Sequence, residues 1–235
     1  MERAFAAGAR AYLFCNPHNP VGRVFTRETV ERVAQLARAY DVLVLSDEAH
    51  APLTLSGAEH TPFASLGDRL AGRALSLIAA SKAFNIAGLK CAAIVAGSDD
   101  VREALLRLPA EVRFRAGNLG VIASIAAFEQ GAEWLARLRE TLDENRNYLS
   151  ELLGAELPLV RYVQPEASFL AWLDCRELGL GDDPGRTFLS KGRVALSRGF
   201  EFGAEGAGYV RLNMGTSREM LCEIVARMRA AIDPS

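Results

Sequence analysis

The middle of this chain carries an apolar run that leads directly into a lysine: Ala74-Leu75-Ser76-Leu77-Ile78-Ala79-Ala80-Ser81-Lys82. The run predicts a buried strand, and lysine is rare in this sequence, where it occurs only as Lys82, Lys90 and Lys191. We expect a lysine at the end of a buried strand to be poorly solvated, which lowers the pKa of its amine. A neutral amine can attack a carbonyl carbon and form a Schiff base. The alternative is that Lys82 only marks the strand end and extends its ammonium into water.

Strand-like and helix-like segments alternate through the first part of the sequence. Short apolar runs predict strands at residues 12–15, 42–45, 74–79 and 92–96. Between the first two, apolar residues recur at helical spacing and predict an amphipathic helix over residues 27–40, with Thr26 as its N-cap. This alternation predicts an α/β fold with a mostly parallel sheet.

A second region follows a long predicted helix over residues 132–153, where tryptophan and leucine recur at helical spacing. Beyond that helix, the strand candidates are residues 168–173, 194–197 and 209–213, and a closing helix contains residues 221–228. We therefore expect three parts in the chain. They are residues 1–131 as part of a large α/β domain, residues 132–154 as an interdomain helix, and residues 155–235 as a small α+β domain.

Composition argues against several functional classes. The net charge is −2, and no basic run has interleaved aromatic residues, so we expect no nucleic-acid partner. No apolar stretch is long enough to cross a bilayer, and we expect a cytoplasmic protein with no membrane partner. The four cysteines are widely scattered and the three histidines lack metal-ligand spacing. We therefore expect reduced, mostly buried thiols and no metal site.

Three predicted strands are followed by residues with useful chemistry: Asn19 after the first, Asp47 after the second and Lys82 after the third. In open α/β sheets, ligands bind beyond the carboxyl ends of the strands, so these side chains are expected to line one crevice. An amide, a carboxylate and an amine are what pyridoxal 5′-phosphate requires. The amine binds its aldehyde, the carboxylate pairs with its pyridine nitrogen, and the amide holds its ring oxygen.

Four motifs in the sequence resemble those of a known enzyme family. They are Asn-Pro-His-Asn-Pro-Val-Gly-Arg at 16–23, Ser-Asp-Glu-Ala-His at 46–50, Ser-Lys-Ala-Phe-Asn-Ile-Ala-Gly-Leu at 81–89 and Tyr-Val-Arg-Leu-Asn at 209–213. In this order they resemble the fold-type I pyridoxal-phosphate enzymes of the class I/II aminotransferase superfamily. Within that superfamily, the residues of these motifs are most similar to those of the MalY/PatB-type group, which is cystathionine β-lyase-like. The resemblance spans the whole chain and implies a large domain with a mostly parallel sheet, here incomplete, and a smaller α+β C-terminal domain.

The resemblance assigns roles to the main site residues. It implies that Lys82 is the Schiff-base lysine and the acid/base that moves the substrate α-proton. It implies that Asp47 pairs with the pyridine nitrogen, and that Asn19 hydrogen-bonds the phenolic oxygen at the edge of the substrate site. His50 stands where many aminotransferases place a tyrosine that contacts the same oxygen. Arg211 is implied to bind the substrate α-carboxylate with both guanidinium nitrogens.

The same resemblance implies contacts to the cofactor phosphate. Ser81 and Lys90 stand where members of the family often help to hold that group. Two departures from the family pattern affect this segment: Ala79 replaces a common serine, and Lys90 replaces an arginine that is frequent in aminotransferases.

The candidate residues also have plain structural interpretations. Asp47 is alternatively a helix cap or a solvated strand end, His50 an ordinary core or surface histidine, and Arg211 a surface ion-pair partner. Three further polar residues are interpreted as structural from the sequence: His18, Glu48 and His60.

The resemblance implies an enzyme that acts on amino acids, with α,β-elimination of a cystathionine- or cysteine-type substrate as the first hypothesis. The second hypothesis is an aminotransferase, which uses the same groups and returns the proton to a different atom. Family members carry well over a hundred residues before the motif at 16–23, so the sequence is interpreted as an N-terminally truncated member. A non-catalytic remnant is therefore the third hypothesis. A homodimer is expected from the family.

Overall fold

The computed structural model describes residues 1–232, apart from the side chain of Arg113, and these residues fold as two compact units. Unit 1 contains Met1–His18 and Arg23–Leu138. Unit 2 contains Asn19–Gly22 and the chain from Arg139 onward. The four-residue segment that carries Asn19 therefore belongs to the second unit, although its neighbours on both sides belong to the first. The three-part division expected from the sequence stays a prediction.

Unit 1 is built on a four-stranded sheet. Its strands are β1 (Ala11–Cys15), β2 (Leu43–Asp47), β3 (Ala74–Ile78) and β4 (Ala93–Ala96). They lie in the order β1-β2-β3-β4, with the first three parallel and β4 antiparallel to β3. The predicted α/β class with a mostly parallel sheet is confirmed. Because β1, β2 and β3 run in the same direction, their carboxyl ends lie at the same edge of the sheet.

Within the described chain, seven helices belong to this unit. They are α1 (Glu2–Ala6), α2 (Arg27–Ala39), α3 (Asp68–Ala71), α4 (Asp99–Leu106), α5 (Ala110–Arg113), α6 (Asn118–Gln130) and the first turns of α7 (Ala132–Glu156). In the chain, α2 lies between β1 and β2, α3 lies between β2 and β3, and α4–α7 follow β4. Short 3₁₀ turns occur at Ala51–Leu53, Phe63–Leu66 and Ala87–Leu89.

The amphipathic helix predicted over residues 27–40 is α2. It begins at Thr26, whose side-chain oxygen accepts a hydrogen bond from the N–H of Thr29 and so satisfies a donor of the first turn. The apolar face of α2 packs on buried side chains of β1 and β2, which include Phe14 and Val44. Burial of this face holds the helix on the sheet, since apolar area removed from water contributes about 25 cal/mol per Å².

Unit 2 contains a second sheet, and its strands are antiparallel. They are β5 (Arg161–Tyr162), β6 (Leu170–Asp174), β7 (Ser197–Arg198) and β8 (Tyr209–Asn213), in the order β5-β6-β8-β7. The helices of this unit are the remainder of α7, α8 (Pro184–Gly192) and α9 (Arg218–Ile232). The main core residues are Leu142, Leu149, Leu153, Leu173, Leu212, Leu221, Val225 and Met228.

Two strands begin at least two residues later than the sequence predicted. The strand expected at 168–173 begins only at Leu170, because Ser168 has a left-handed backbone with φ of 79°. The strand expected at 194–197 begins at Ser197, because Val194 lies in the turn that caps the C-terminus of α8. Its N–H bonds to the carbonyl of Phe188 at 3.0 Å, and Arg193 has a left-handed φ of 57°.

Within residues 1–232, no helix is long and apolar enough to cross a membrane.

None of the four cysteines, all of which lie in the described part of the chain, forms a disulfide, and Cys175 alone among them is fully buried, so the expectation of mostly buried thiols is wrong. Cys15, Cys91 and Cys222 are half-buried.

Candidate active site

Lys82 lies in a tight turn that follows β3 in unit 1. The turn is closed by backbone hydrogen bonds from the N–H of Phe84 to the carbonyl of Ala80 (3.0 Å) and from Ile86 to Ser81 (3.2 Å). Lys82 is exposed in the described part of the chain. The prediction that its amine is poorly solvated is therefore wrong. The physical reason is its position four residues beyond Ile78, where the chain has already left the buried part of the strand.

The two residues expected to contact a phosphate lie near this turn. The Ser81 hydroxyl donates to the carbonyl oxygen of Cys91 at 3.3 Å, so its proton is already engaged. Lys90 is exposed and has a left-handed backbone at the end of the 3₁₀ turn Ala87–Leu89. Its ammonium is therefore accessible to an anion, and the phosphate role of both residues stays a prediction.

Asp47 is the last residue of β2, beside the end of β1. Its carbonyl accepts a hydrogen bond from the N–H of Asn16 at 3.0 Å, and its carboxylate oxygen Oδ1 accepts one from Ala49 at 3.1 Å. His50 follows three residues later, is buried, and begins the 3₁₀ turn Ala51–Leu53. The parallel pairing of β2 and β3 therefore brings Asp47 and the Lys82 turn to the same edge of the sheet.

In unit 2, Arg211 and Asn19 are joined directly although they are far apart in sequence. The guanidinium Nη1 of Arg211 donates to the amide oxygen Oδ1 of Asn19 at 2.8 Å, and Nη2 donates to the hydroxyl of Ser197 at 3.2 Å. The guanidinium carbon also lies 4.6 Å from the ring centroid of Phe202. Both polar partners are neutral, so the guanidinium charge is oriented without being neutralised.

Arg211 retains the capacity to bind an anion. Its Nε atom is buried and has no hydrogen-bond partner in the described part of the chain. No carboxylate within residues 1–232 forms an ion pair with it. Burial lowers the pKa of its guanidinium from the ordinary value, and the charge of Glu201 opposes that shift. The surface ion-pair interpretation of Arg211 therefore has no support among the described residues.

Gly22 fixes the Asn19 segment within unit 2. Its carbonyl accepts hydrogen bonds from the N–H groups of Glu166 (2.8 Å) and Ala167 (3.0 Å). Its φ is +72°, and a Cβ atom at this position would lie 2.3 Å from the Cβ of Pro165. Only glycine allows this close approach, which holds the loop that presents Asn19 to Arg211.

Glu48 is a buried carboxylate on unit 1 that the sequence presented only as structural. Its Oε1 atom accepts hydrogen bonds from the hydroxyls of Ser46 (2.9 Å) and Ser76 (2.8 Å) and from the N–H of Phe63 (3.0 Å). Its Oε2 atom lies 3.2 Å from Nε2 of His60. Burial by itself raises the pKa of Glu48, but the hydrogen bonds from His60, Ser76, Phe63 and Ser46 outweigh burial and lower it.

Sequence reasoning missed two neighbours of Arg211, namely Ser197 and Phe202. Ser197 pairs directly with Arg211 across the β7–β8 ladder, and Phe202 lies in a short 3₁₀ turn after β7. Neither contact has a local signal, because the register of an antiparallel pair and the path of the following turn are set by packing. The assigned roles of the seven candidate site residues stay predictions.

Comparisons with known proteins define the fold class first. A crystal structure of the pyridoxal-phosphate-bound C–S lyase from Staphylococcus hominis superimposes with a TM-score of 0.90 at 29% identity, over 98% of this chain and 61% of that one. Cystalysin from Treponema denticola gives a TM-score of 0.90 at 28% identity, over 98% of this chain and 59% of that one. The fold is therefore that of the fold-type I pyridoxal-phosphate enzymes.

The family follows from the sequence. The family described as "Aminotransferase class I and II" matches residues 2–228. A Mycobacterium tuberculosis protein that is provisionally named a cystathionine beta-lyase is 45% identical over 97% of this chain. "Cystathionine beta-lyase PatB" of Bacillus subtilis is 38% identical over 94%. This chain belongs to the aminotransferase class I and II family. It spans only 59% and 58% of the lengths of these two relatives.

The lowered pKa of Glu48 predicts a pH dependence of stability. A carboxylate whose pKa is lower in the folded state stabilises the fold fully above its unfolded pKa, near 4.5, and loses this contribution as the pH falls through the folded value. We expect wild type to exceed Glu48→Gln in free energy of unfolding by more at pH 7 than at pH 3.5. Chemical denaturation at both pH values measures this.

The exposed neighbour Glu59 provides the matched control, since Glu59→Gln makes the same chemical change outside the hydrogen-bonded cluster. We expect the difference between wild type and Glu59→Gln to be small and nearly independent of pH. A wild-type advantage over Glu48→Gln that grew on acidification would show that the direction of the pKa shift is wrong.

Proposed function

We propose that this chain carries the cofactor- and substrate-binding residues of a pyridoxal-phosphate enzyme that acts on amino acids. The proposed reaction is α,β-elimination at a carbon–sulfur bond of a cystathionine- or cysteine-type substrate. One water is consumed, and the products are a thiol, pyruvate and ammonia. The observation that carries the proposal is the hydrogen bond between Asn19 and Arg211, which joins a ring-oxygen donor to a carboxylate anchor.

The free functional groups fit the cofactor. Because the Oδ1 atom of Asn19 accepts from Arg211, its Nδ2 group remains available to donate, as a phenolate oxygen requires. The Oδ1 atom of Asp47 accepts from Ala49, and its Oδ2 atom has no partner within residues 1–232, so it can receive a pyridine N–H. The amine of Lys82 is exposed and makes no ion pair in the described chain.

The chain's own residues perform four tasks in this proposal. Arg211 holds the substrate α-carboxylate, and Asn19 fixes the guanidinium and the ring oxygen relative to each other. Asp47 keeps the pyridine nitrogen protonated through its negative charge. Lys82 takes the proton from the substrate Cα and later returns one. When bound, pyridoxal 5′-phosphate withdraws electrons from Cα and so makes that proton removable. His50 is assigned to the ring oxygen by resemblance, and Ser81 and Lys90 to the phosphate.

Two observations bear on the choice between elimination and transamination. Relatives at 34–45% identity carry the name cystathionine beta-lyase, in one group provisionally, which favours elimination. The second candidate is transfer of the amino group to a 2-oxo acid, which the family description and the 30% identical "Putative aminotransferase YugH" of Bacillus subtilis favour.

Product analysis distinguishes the two reactions. With cystathionine as substrate, we expect pyruvate, ammonia and a thiol to form at equal rates and without any added 2-oxo acid. Pyruvate measured by lactate dehydrogenase coupling and thiol measured by disulfide exchange give both rates. If products formed only when a 2-oxo acid was added, and that acid was converted to the corresponding amino acid, the result would contradict elimination and favour transamination.

We extend the proposal to a cytoplasmic homodimer. The resemblance to the family supports both statements. Unit 1 also exposes large apolar side chains on α6, among them Leu119, Ile122 and Ile125, which a partner surface would remove from water. The expected absence of nucleic-acid and membrane partners stays a prediction.

Covalent attachment of the cofactor tests the role of Lys82. After incubation with pyridoxal 5′-phosphate and borohydride reduction, we expect peptide mapping to find the added mass on the peptide that contains Lys82. Lys82→Ala should abolish this labelling, because only a primary amine bonds to the aldehyde. Lys191→Ala, which removes an exposed lysine of α8, should leave it unchanged. Labelling shared equally among all three lysines would contradict the assignment.

The carboxylate role of Arg211 predicts a selective loss of affinity. We expect Arg211→Ala to weaken amino-acid binding by about 2 kcal/mol, or roughly 30-fold, since hydrogen bonds to charged groups contribute about 1.5–3 kcal/mol. Cysteamine, which lacks the carboxylate of cysteine, should bind the variant and wild type equally. Isothermal titration with both ligands measures this, and Arg227→Ala on the exposed face of α9 is the control. Equal losses for both ligands would rule out a carboxylate contact.

A further inference from the structure

The Glu48 carboxylate is buried in a way that needs a physical explanation. Only 3% of Glu48 is exposed, and within residues 1–232 no lysine or arginine forms an ion pair with it. A buried carboxylate is costly unless hydrogen bonds replace its lost hydration. Here four donors do so, three on one oxygen and His60 on the other.

Strand geometry separates Glu48 from the face that carries Asp47. Side chains alternate along β2, and Val44, Ser46 and Glu48 are buried while Leu45 and Asp47 are half-buried. Glu48 therefore lies on the side of the sheet opposite to Asp47. Because of this alternation, Glu48 does not itself contact the groups that the Asp47 carboxylate binds.

Glu48 instead joins three separate segments of unit 1. Its side chain binds Ser46 on β2, Ser76 on β3, and both His60 and Phe63 in the segment that connects these two strands. Its backbone continues the ladder, with its N–H bonded to the carbonyl of Leu77 at 2.9 Å. One residue thus fixes the end of β2 against the strand that leads to Lys82.

The same residue fixes the turn that carries two proposed cofactor contacts. The carbonyl of Glu48 accepts the N–H of Ala51 at 2.9 Å, which closes the turn containing His50. Asp47 precedes Glu48 directly, and its carboxylate is oriented by the N–H of Ala49 in the same turn. A displacement of Glu48 would therefore move both Asp47 and His50.

We propose that Glu48, held by His60, is a positioning residue that keeps the Asp47–His50 turn in the shape that binds the cofactor. This inference rests on the proposed function, because it takes Asp47 and His50 as cofactor contacts. In metal sites, removing a residue that hydrogen-bonds to a metal ligand commonly lowers the affinity for the metal about 10- to 100-fold. The same reasoning applies to any site whose contacts must be held in place.

Glutamine cannot replace this carboxylate without loss. Glu48→Gln has the same size, but its amide nitrogen would place a donor against the Nε2–H of His60. His60 could accept that donor only by moving its proton to Nδ1. The Nδ1 atom is buried and has no partner in the described part of the chain, so a proton there would have no acceptor. Glu48→Gln therefore disturbs the cluster while it preserves the packing volume.

Amide hydrogen exchange tests whether Glu48 fixes the turn. In Glu48→Gln we expect faster exchange at the amides of Ala49 and Ala51, with unchanged exchange at Val33 in α2. Glu59→Gln should match wild type at all three amides. Unchanged exchange at Ala49 and Ala51 would overturn the proposal. Faster exchange at Val33 as well would mean that Glu48→Gln loosens the whole unit. Ser76→Ala would then be used in place of Glu48→Gln, because it removes one donor to Glu48 and retains the carboxylate.

Cofactor binding tests whether that turn matters for the site. We expect Glu48→Gln to weaken pyridoxal 5′-phosphate binding about tenfold, and to reduce the visible circular dichroism of the bound cofactor, which reports its orientation. His60→Gln retains a donor for Glu48 and should lie closer to wild type than His60→Leu. Faster exchange with unchanged affinity and dichroism would overturn the positioning role.

The two proposals fail in different ways. If wild type itself binds no pyridoxal 5′-phosphate, the proposed function is contradicted, and the link from Glu48 to a cofactor site is overturned with it. If wild type binds the cofactor and Glu48→Gln binds it equally well, with the same dichroism, only the positioning role is overturned.

Discussion

Because β1, β2 and β3 pair in parallel, every loop that leaves their carboxyl ends starts at one edge of the sheet, and the candidate site of unit 1 depends on this pairing. Asp47 ends β2 and the Lys82 turn follows β3, so a carboxylate and an amine both lie at that edge. The apolar side chains that build the strands are buried beneath α2. The hydrophobic core therefore sets the position of the polar groups, and those groups add little to the core itself.

Adjacent carboxylates at the end of β2 illustrate how the alternation of side chains separates chemical roles. Asp47 and Glu48 are neighbours in sequence, yet their side chains leave the sheet on opposite faces. Asp47 keeps one oxygen without a partner in the described chain, whereas both carboxylate oxygens of Glu48 accept hydrogen bonds, from four donors in all. In unit 2, Arg211 shows the complementary case, because its neutral partners orient the guanidinium and leave its charge available.

Segments with strong local signals could be predicted from the sequence, whereas ends set by packing could not. Residues 27–40 were identified as a helix from apolar spacing and the Thr26 cap, and residues 209–213 as a strand from their apolar content. The prediction was wrong where one residue departs from its segment, as at Ser168 and Val194, whose backbones depend on neighbouring turns. It was also wrong about Lys82, which lies beyond the buried part of β3.

The sequence by itself determined the class of fold and the inventory of the candidate site, because periodicity, turn residues and motif order are local properties of the chain. Only the tertiary structure decided that Arg211 donates to Asn19, that Ser197 and Phe202 complete its surroundings, and that Glu48 joins two strands and a loop. These contacts join residues that are distant in sequence. Their geometry depends on strand register and on the packing of whole elements, for which a single sequence carries no local signal.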